Sequence, residues 1–204
     1  LQIEWEIRMA STPVVIERAP RSSDVPNAIS ALTTAFVNDP AARWLFPDPA
    51  EYLANFPFFV SAFGGRAFAE KSADVLENGL GAALWLPPGI HSDHAALDAL
   101  FTNAPAALQA EMSFLFERID YYCPKEPYWD LPLIGVDPRH QNSGHGSALL
   151  KQGLRRCDRD HLAAYVQATS TSSFKLYHRH GFEPVGEIQS GMSPTFYAMV
   201  RAAR

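Results

Sequence analysis

At 204 residues, 47% apolar and 19% charged, the chain has the size and composition of one globular domain with a single core. A net charge of −5, with no lysine- or arginine-rich run, argues against nucleic-acid partners, whose phosphates demand neutralising cations. Two cysteines exclude a disulfide framework, no apolar run reaches membrane-span length, and no basic segment leads into an apolar core, so a cytoplasmic protein is expected.

Met9-Ala-Ser reads as an ordinary start, which makes residues 1–8 an upstream extension and 9–204 one domain. Val14 to Glu17 reads as a strand, and Asp24 caps a helix whose apolar face carries Ile29, Leu32 and Phe36. Asn38-Asp39-Pro40 stops that helix, and Ala41 to Phe46 makes a short turn. Tyr52 to Phe68 is rich in aromatics, which favours core packing, and Pro57 and Gly64-Gly65 predict a bend or break. Asn78-Gly79 between two apolar runs predicts a hairpin. Two helices follow, His91 to Phe101 and Pro105 to Ile119, the second with Leu108, Met112, Leu115, Phe116 and Ile119 on one face. The closing elements are a strand at Tyr128 to Val136, a helix to about Arg159, a strand at Ala164 to Thr169 and a helix at Ser173 to His180. Gly181 then serves as a left-handed cap before an antiparallel pair at 185–189 and 195–200. Strands alternating with helices give an α/β (α+β) domain, a mixed sheet flanked by helices.

One stretch carries chemistry. The apolar strand ends in Val136-Asp137-Pro138 and is followed by Gln141-Asn142-Ser143-Gly144-His145-Gly146-Ser147 and a helix with Leu150, Leu154 and Cys157 at helical spacing. Two glycines at a helix start leave backbone N–H groups bare at the positive end of the helix dipole, a place for a phosphate or pyrophosphate. A dinucleotide fold would place a third glycine where Leu149 stands and an acidic residue near 164–170, where none occurs. The lysine of a phosphate-binding P-loop is missing too.

Gln-x-x-Gly-x-Gly after such a strand resembles the acetyl-CoA motif of the GCN5-related N-acetyltransferases (GNAT). Ser173-Phe174-Lys-Leu-Tyr177-His-Arg-His-Gly181-Phe182 resembles that family's Asn-x-x-x-Tyr-x-x-x-Gly-Phe helix, with Ser173 in place of the asparagine. The resemblance covers the C-terminal third and implies a GNAT-like fold with helices on both faces of a mixed sheet. The helices around 91–120 would then be an insertion able to shape the acceptor pocket, to which the aromatic segment also contributes.

The resemblance further implies transfer of an acetyl group from acetyl-CoA to a primary amine of a small molecule or peptide, by direct attack and without a metal. The turn from Gln141 to Ser147 would hold the pyrophosphate. The strand at Ile134, Gly135 and Val136 would splay at a bulge, pair with the pantetheine amides and polarise the thioester carbonyl, and Ser173 and Phe174 would complete the cofactor site. Tyr177 reads either as the acid that protonates the departing thiolate or as a core aromatic. Asp130 reads either as the general base or as a solvated strand-start carboxylate, with Glu126 or a water chain as alternatives. His178 and His180 lack further metal ligands. A non-catalytic acyl-CoA sensor of the same fold is the alternative function, and a monomer or homodimer is expected.

Overall fold

The computed structural model describes residues 21, 23–76 and 79–204. The strand expected at 14–17, residues 1–8 and Asn78 lie outside them. Helix α1 (Asp24–Ala35) buries Ala28, Ala31 and Leu32. The Asp39 carboxylate accepts from the Ala41 and Ala42 N–H groups and so starts α2 (Pro40–Leu45), with Pro40 fixing its first turn. Asp48 and Pro49 repeat the device at α3 (Pro49–Gly64).

No break falls at Pro57: α3 continues through it and ends at Gly64. Tyr52, Phe56, Phe59 and Phe63 share one face and stack in succession, with centroids 4.6, 5.5 and 5.1 Å apart. Each buried ring contributes about 1.5–3 kcal/mol, so the row offsets the roughly 3 kcal/mol that an internal proline costs. The break falls at Gly65, within the expected Gly64-Gly65 pair, before the single turn α4 (Arg66–Ala69).

Strands β1 (Ala73–Val75) and β2 (Gly81–Leu86) pair antiparallel, and Gly79 takes φ +67° between them. Helices α5 (His94–Phe101) and α6 (Ala106–Tyr122) lead to β3 (Tyr128–Val136). The chain continues through α7 (His145–Asp160), β4 (Ala163–Ala168), α8 (Thr171–His178), β5 (Glu183–Ile188) and β6 (Phe196–Arg201). Gly181 takes the left-handed conformation expected of it, φ +90°.

The six strands run in the order β1-β2-β3-β4-β6-β5. Every pairing is antiparallel except β3 with β4. Helices cover both faces. One face buries Leu32, Phe56, Phe59, Val60, Leu84 and Leu133 beneath α1 and α3. The other buries Trp85, Leu131, Leu149, Leu154, Val166 and Tyr177 beneath α7 and α8. A third cluster joins α6 to β4, β5 and β6 through Leu115, Tyr165, Ile188 and Ala198. Helix α7 lies close on β2, where a β-carbon at Gly153 would meet the Trp85 indole at 2.0 Å.

Strand β3 positions the site. Leu84 faces Leu133 and Leu86 faces Asp130, so β3 has one residue more than β2 in this interval, a bulge around Pro132. The extra residue reverses the side-chain alternation. Trp129 and Leu131 pack towards α7, yet so do Ile134 and Val136, while Leu133 packs towards α1 and α3. On its other edge β3 pairs with β4 only at Tyr128, Trp129 and Asp130. Pro132 has no N–H to offer a ladder, and beyond it the two parallel strands part.

Candidate active site

The gap between β3 and β4 opens into a cleft of about 320 Å³ that passes through the sheet. Its walls come from α1 to α3 and α6 on one face and from the α7 turn and α8 on the other. Ile134, Gly135 and Val136 line it along β3, and the edge they leave towards β4 carries no strand partner. Gly135 also allows α1 to lie close, since a β-carbon there would meet Ala35 Cβ at 2.6 Å.

At one end stands the turn before α7. Gln141, Asn142, Gly144, Gly146 and Ser147 all line the cleft. Gln141 Nε2 donates to the Val136 carbonyl at 3.0 Å and pins the turn to the strand end. Gly144 is the N-cap of α7 with φ +86° and ψ −8°, left-handed backbone that glycine adopts without steric cost. Among the described residues no carbonyl or side chain accepts from the N–H groups of residues 142–147. Four residues of the turn, Gln141 to Gly144, are exposed. A β-carbon at Gly146 would meet nothing closer than Leu176 Cδ2 at 3.5 Å, so packing within the protein does not demand glycine there. The open space and bare donors fit an anionic group lying against the turn.

A cation that the sequence reading missed adds to this end. Arg179, one residue past α8, donates through Nη2 to Ser147 Oγ at 3.1 Å and lines the cleft. Read along the sequence it is merely the residue two after Tyr177; only the packing of α8 against the turn brings it there. Ser173 lines the cleft, but its hydroxyl is engaged in a capping box, accepting from Ser170 N–H at 3.1 Å and donating to the Ser170 carbonyl at 2.9 Å. Of the expected cofactor residues, Ser143, His145 and Phe174 do not line the cleft. Phe174 packs edge-on to Tyr197 at 5.2 Å and stacks on His178 at 6.2 Å.

Tyr177 and Asp39 both contribute to the walls of the cleft. Tyr177 is 4% exposed and packs against Phe182 at 5.8 Å. Burial raises its phenol above the ordinary tyrosine value, and the negative charge of Asp39 raises it further. Asp39 Oδ1 accepts from Ala41 and Ala42 N–H at 2.9 and 3.2 Å, and Oδ2 accepts from Thr169 Oγ at 2.6 Å. Desolvation nevertheless raises its pKa, against these three donors. In the sequence Asn38-Asp39-Pro40 reads as a helix stop. Asp before Pro also carries the signal of an N-cap, but nothing local tells that the carboxylate faces a cleft.

Asp130 stands apart. It lines a second hollow with Glu126, Tyr128 and His91, not the cleft that holds Tyr177. Its Oδ1 has no exposed surface and no hydrogen-bond partner. Burial pushes its pKa up to about 7; the Leu131 N–H opposes the rise and Asp120 adds to it. Among the described residues no three His, Cys, Asp or Glu side chains gather as a metal site, and no helix is long and apolar enough to cross a membrane.

The family model of the acetyltransferase (GNAT) domain matches residues 126–202, the stretch that holds β3, the turn and α8. Mycothiol acetyltransferase of Acidothermus cellulolyticus is 41% identical over 64 residues, 30% of this chain, and the match spans a fifth (20%) of that longer protein. A solved structure of the histone acetyltransferase HPA2 and related acetyltransferases, from Corynebacterium glutamicum, superposes with a TM-score of 0.67 at 29% identity. It covers 95% of this chain and 97% of its own. Arylalkylamine N-acetyltransferase 2 of Aedes aegypti (TM-score 0.64, 13% identity, 91% and 97% covered) and an agmatine N-acetyltransferase (0.63, 15%, 92% and 97%) share the fold. Residues 126–202, which hold the glycine turn at the start of α7 and the buried helix tyrosine, thus match a GNAT acetyltransferase domain, and the chain as a whole, with its splayed parallel strands, shares the fold of these acetyltransferases.

Proposed function

We propose that the protein transfers an acetyl group from acetyl-CoA to a primary amine by direct attack. The observation that carries this reading is a single cleft with bare N–H donors and Arg179 at one end, and a carboxylate and a phenol both in its walls. The turn from Gln141 to Ser147, with Arg179, would hold the pyrophosphate. The free edge of β3 at Ile134 to Val136 would pair with the pantetheine amides, and one N–H there would donate to the thioester carbonyl, worth on the order of 3 kcal/mol as charge develops on its oxygen.

The base is assigned to Asp39 and not to Asp130, because Asp39 lines the cleft and Asp130 does not. Asp39 takes a proton from the bound ammonium. The freed nitrogen lone pair forms the C–N bond, the C–S bond breaks as Tyr177 gives its proton to the departing thiolate, and the second proton that the nitrogen loses on becoming an amide restores the phenol, while Asp39 releases the first to solvent. The raised phenol is fully protonated near neutrality, as an acid must be. The raised pKa of Asp39 makes it a better proton acceptor than a solvated carboxylate.

Release of free thiol from acetyl-CoA in the presence of a panel of primary amines tests the transfer. Asp39→Asn should lower kcat/KM by roughly 10²–10⁴-fold. In the wild type kcat/KM should fall on acidification with a midpoint above the ordinary aspartate value of 3.8, and that limb should vanish in Asp39→Asn. Binding of CoA without thiol release from any amine would favour a sensor of the same fold.

A further inference from the structure

The wall that α3 and α6 give the cleft differs from the turn end. Phe56, Phe59 and Phe63 reach it from α3, and Met112 and Phe116 reach it from α6. Phe59 and Phe63 stack with centroids 5.1 Å apart and an interplanar angle of 21°. Among the described residues that line the cleft, Asp39 and Arg179 carry the only charges, and Arg179 is at the turn with Ser147. Glu111, beside the wall residue Trp44, is taken up by the Trp44 indole N–H and the Met192 N–H, each at 3.3 Å.

From this distribution we infer that the acceptor is a primary monoamine carrying an aromatic ring, its nitrogen at Asp39 and its ring among Phe59, Phe63, Met112 and Phe116. The inference rests on the acetyl-transfer reading above and adds the substrate class. A diamine or polyamine would bring a second cation against rings and aliphatic carbons, and the lining offers it no second carboxylate. An amino acid would bring a carboxylate towards Asp39, with no cation on that side. A lysine side chain in a peptide would bring backbone amides past aromatic rings that offer them no partners. An aryl ring, in contrast, gains its burial and an edge or face contact with the stacked pair.

The test compares kcat/KM for phenethylamine, agmatine, spermidine, phenylalanine and a blocked lysine peptide with the full chain and acetyl-CoA. Phenethylamine should exceed each of the others by roughly ten- to a hundredfold, the range expected for burying one ring. Phe116→Glu, which adds a second carboxylate to the lining, should lower the phenethylamine-to-agmatine ratio at least about tenfold; Met112→Glu supplies the same measurement should the first variant not fold. A ratio untouched by either, or wild-type turnover of agmatine, spermidine, phenylalanine or the peptide equal to that of phenethylamine, overturns the assignment while leaving acetyl transfer intact. No turnover of any amine, with CoA bound, would instead remove the transfer reading on which it stands.

Discussion

Replacing Asp130 by asparagine separates a buried carboxylate from a catalytic one. Burial raises the group from 3.8 to about 7, so the folded protein keeps a proton that the unfolded chain releases near 3.8. The folded state therefore binds more protons between those limits, and stability falls as pH rises from 3.8 to about 7. At about 1.36 kcal/mol per pH unit, the loss between pH 5 and pH 8 comes to about 2–3 kcal/mol. Asparagine keeps an acceptor for the Leu131 N–H and carries no charge, so Asp130→Asn lacks this dependence. The groups that share the surroundings of Asp130, namely Asp120, Cys123, Tyr128 and Tyr165, are the same in both proteins. Urea unfolding followed by tryptophan fluorescence at pH 5 and pH 8 measures it. The stability of Asp130→Asn relative to wild type should rise by about 2–3 kcal/mol from the lower pH to the higher, with kcat/KM within a few-fold of wild type. A stability difference that stays constant with pH would refute the linkage, and a hundredfold loss of kcat/KM would return the base to Asp130.

Three further substitutions probe the cleft. Tyr177→Phe should lower kcat by roughly 10²-fold or more with CoA affinity by calorimetry unchanged; unaltered turnover would leave the phenol a packing group. Gly146→Val should weaken CoA binding at least about tenfold, because its side chain enters the space beside bare N–H donors. Its melting temperature should hardly move, since a β-carbon there meets only Leu176 at 3.5 Å; equal losses of binding and stability would mean that the glycine serves the fold. Arg179→Ala should raise KM for acetyl-CoA several-fold and flatten its dependence on salt, and an unchanged salt dependence would place the guanidinium outside the phosphate's reach.

The sequence by itself determined what depends on neighbouring residues. Strand β3 and the start of α7 follow from an apolar run, Asp137-Pro138 and two glycines within a few residues. Gly144 adopts its left-handed backbone because the local turn requires it, and Gly181 does the same after α8. The resemblance that points to Tyr177 rests on its spacing to Gly181 and Phe182, which lies within one helix and its cap. Only the tertiary structure decided the rest. Pro57 does not break α3, because aromatic rings contributed along one face outweigh its local cost. Pro132 sits in the bulge that reverses the alternation of β3 and beyond which β3 and β4 part. Asp39, read as a helix stop, comes 130 residues along the chain to Thr169, while Asp130 falls outside the same cleft. The face that a strand residue presents depends on register, and the neighbours of a carboxylate depend on long-range packing; neither leaves a mark in the residues beside it.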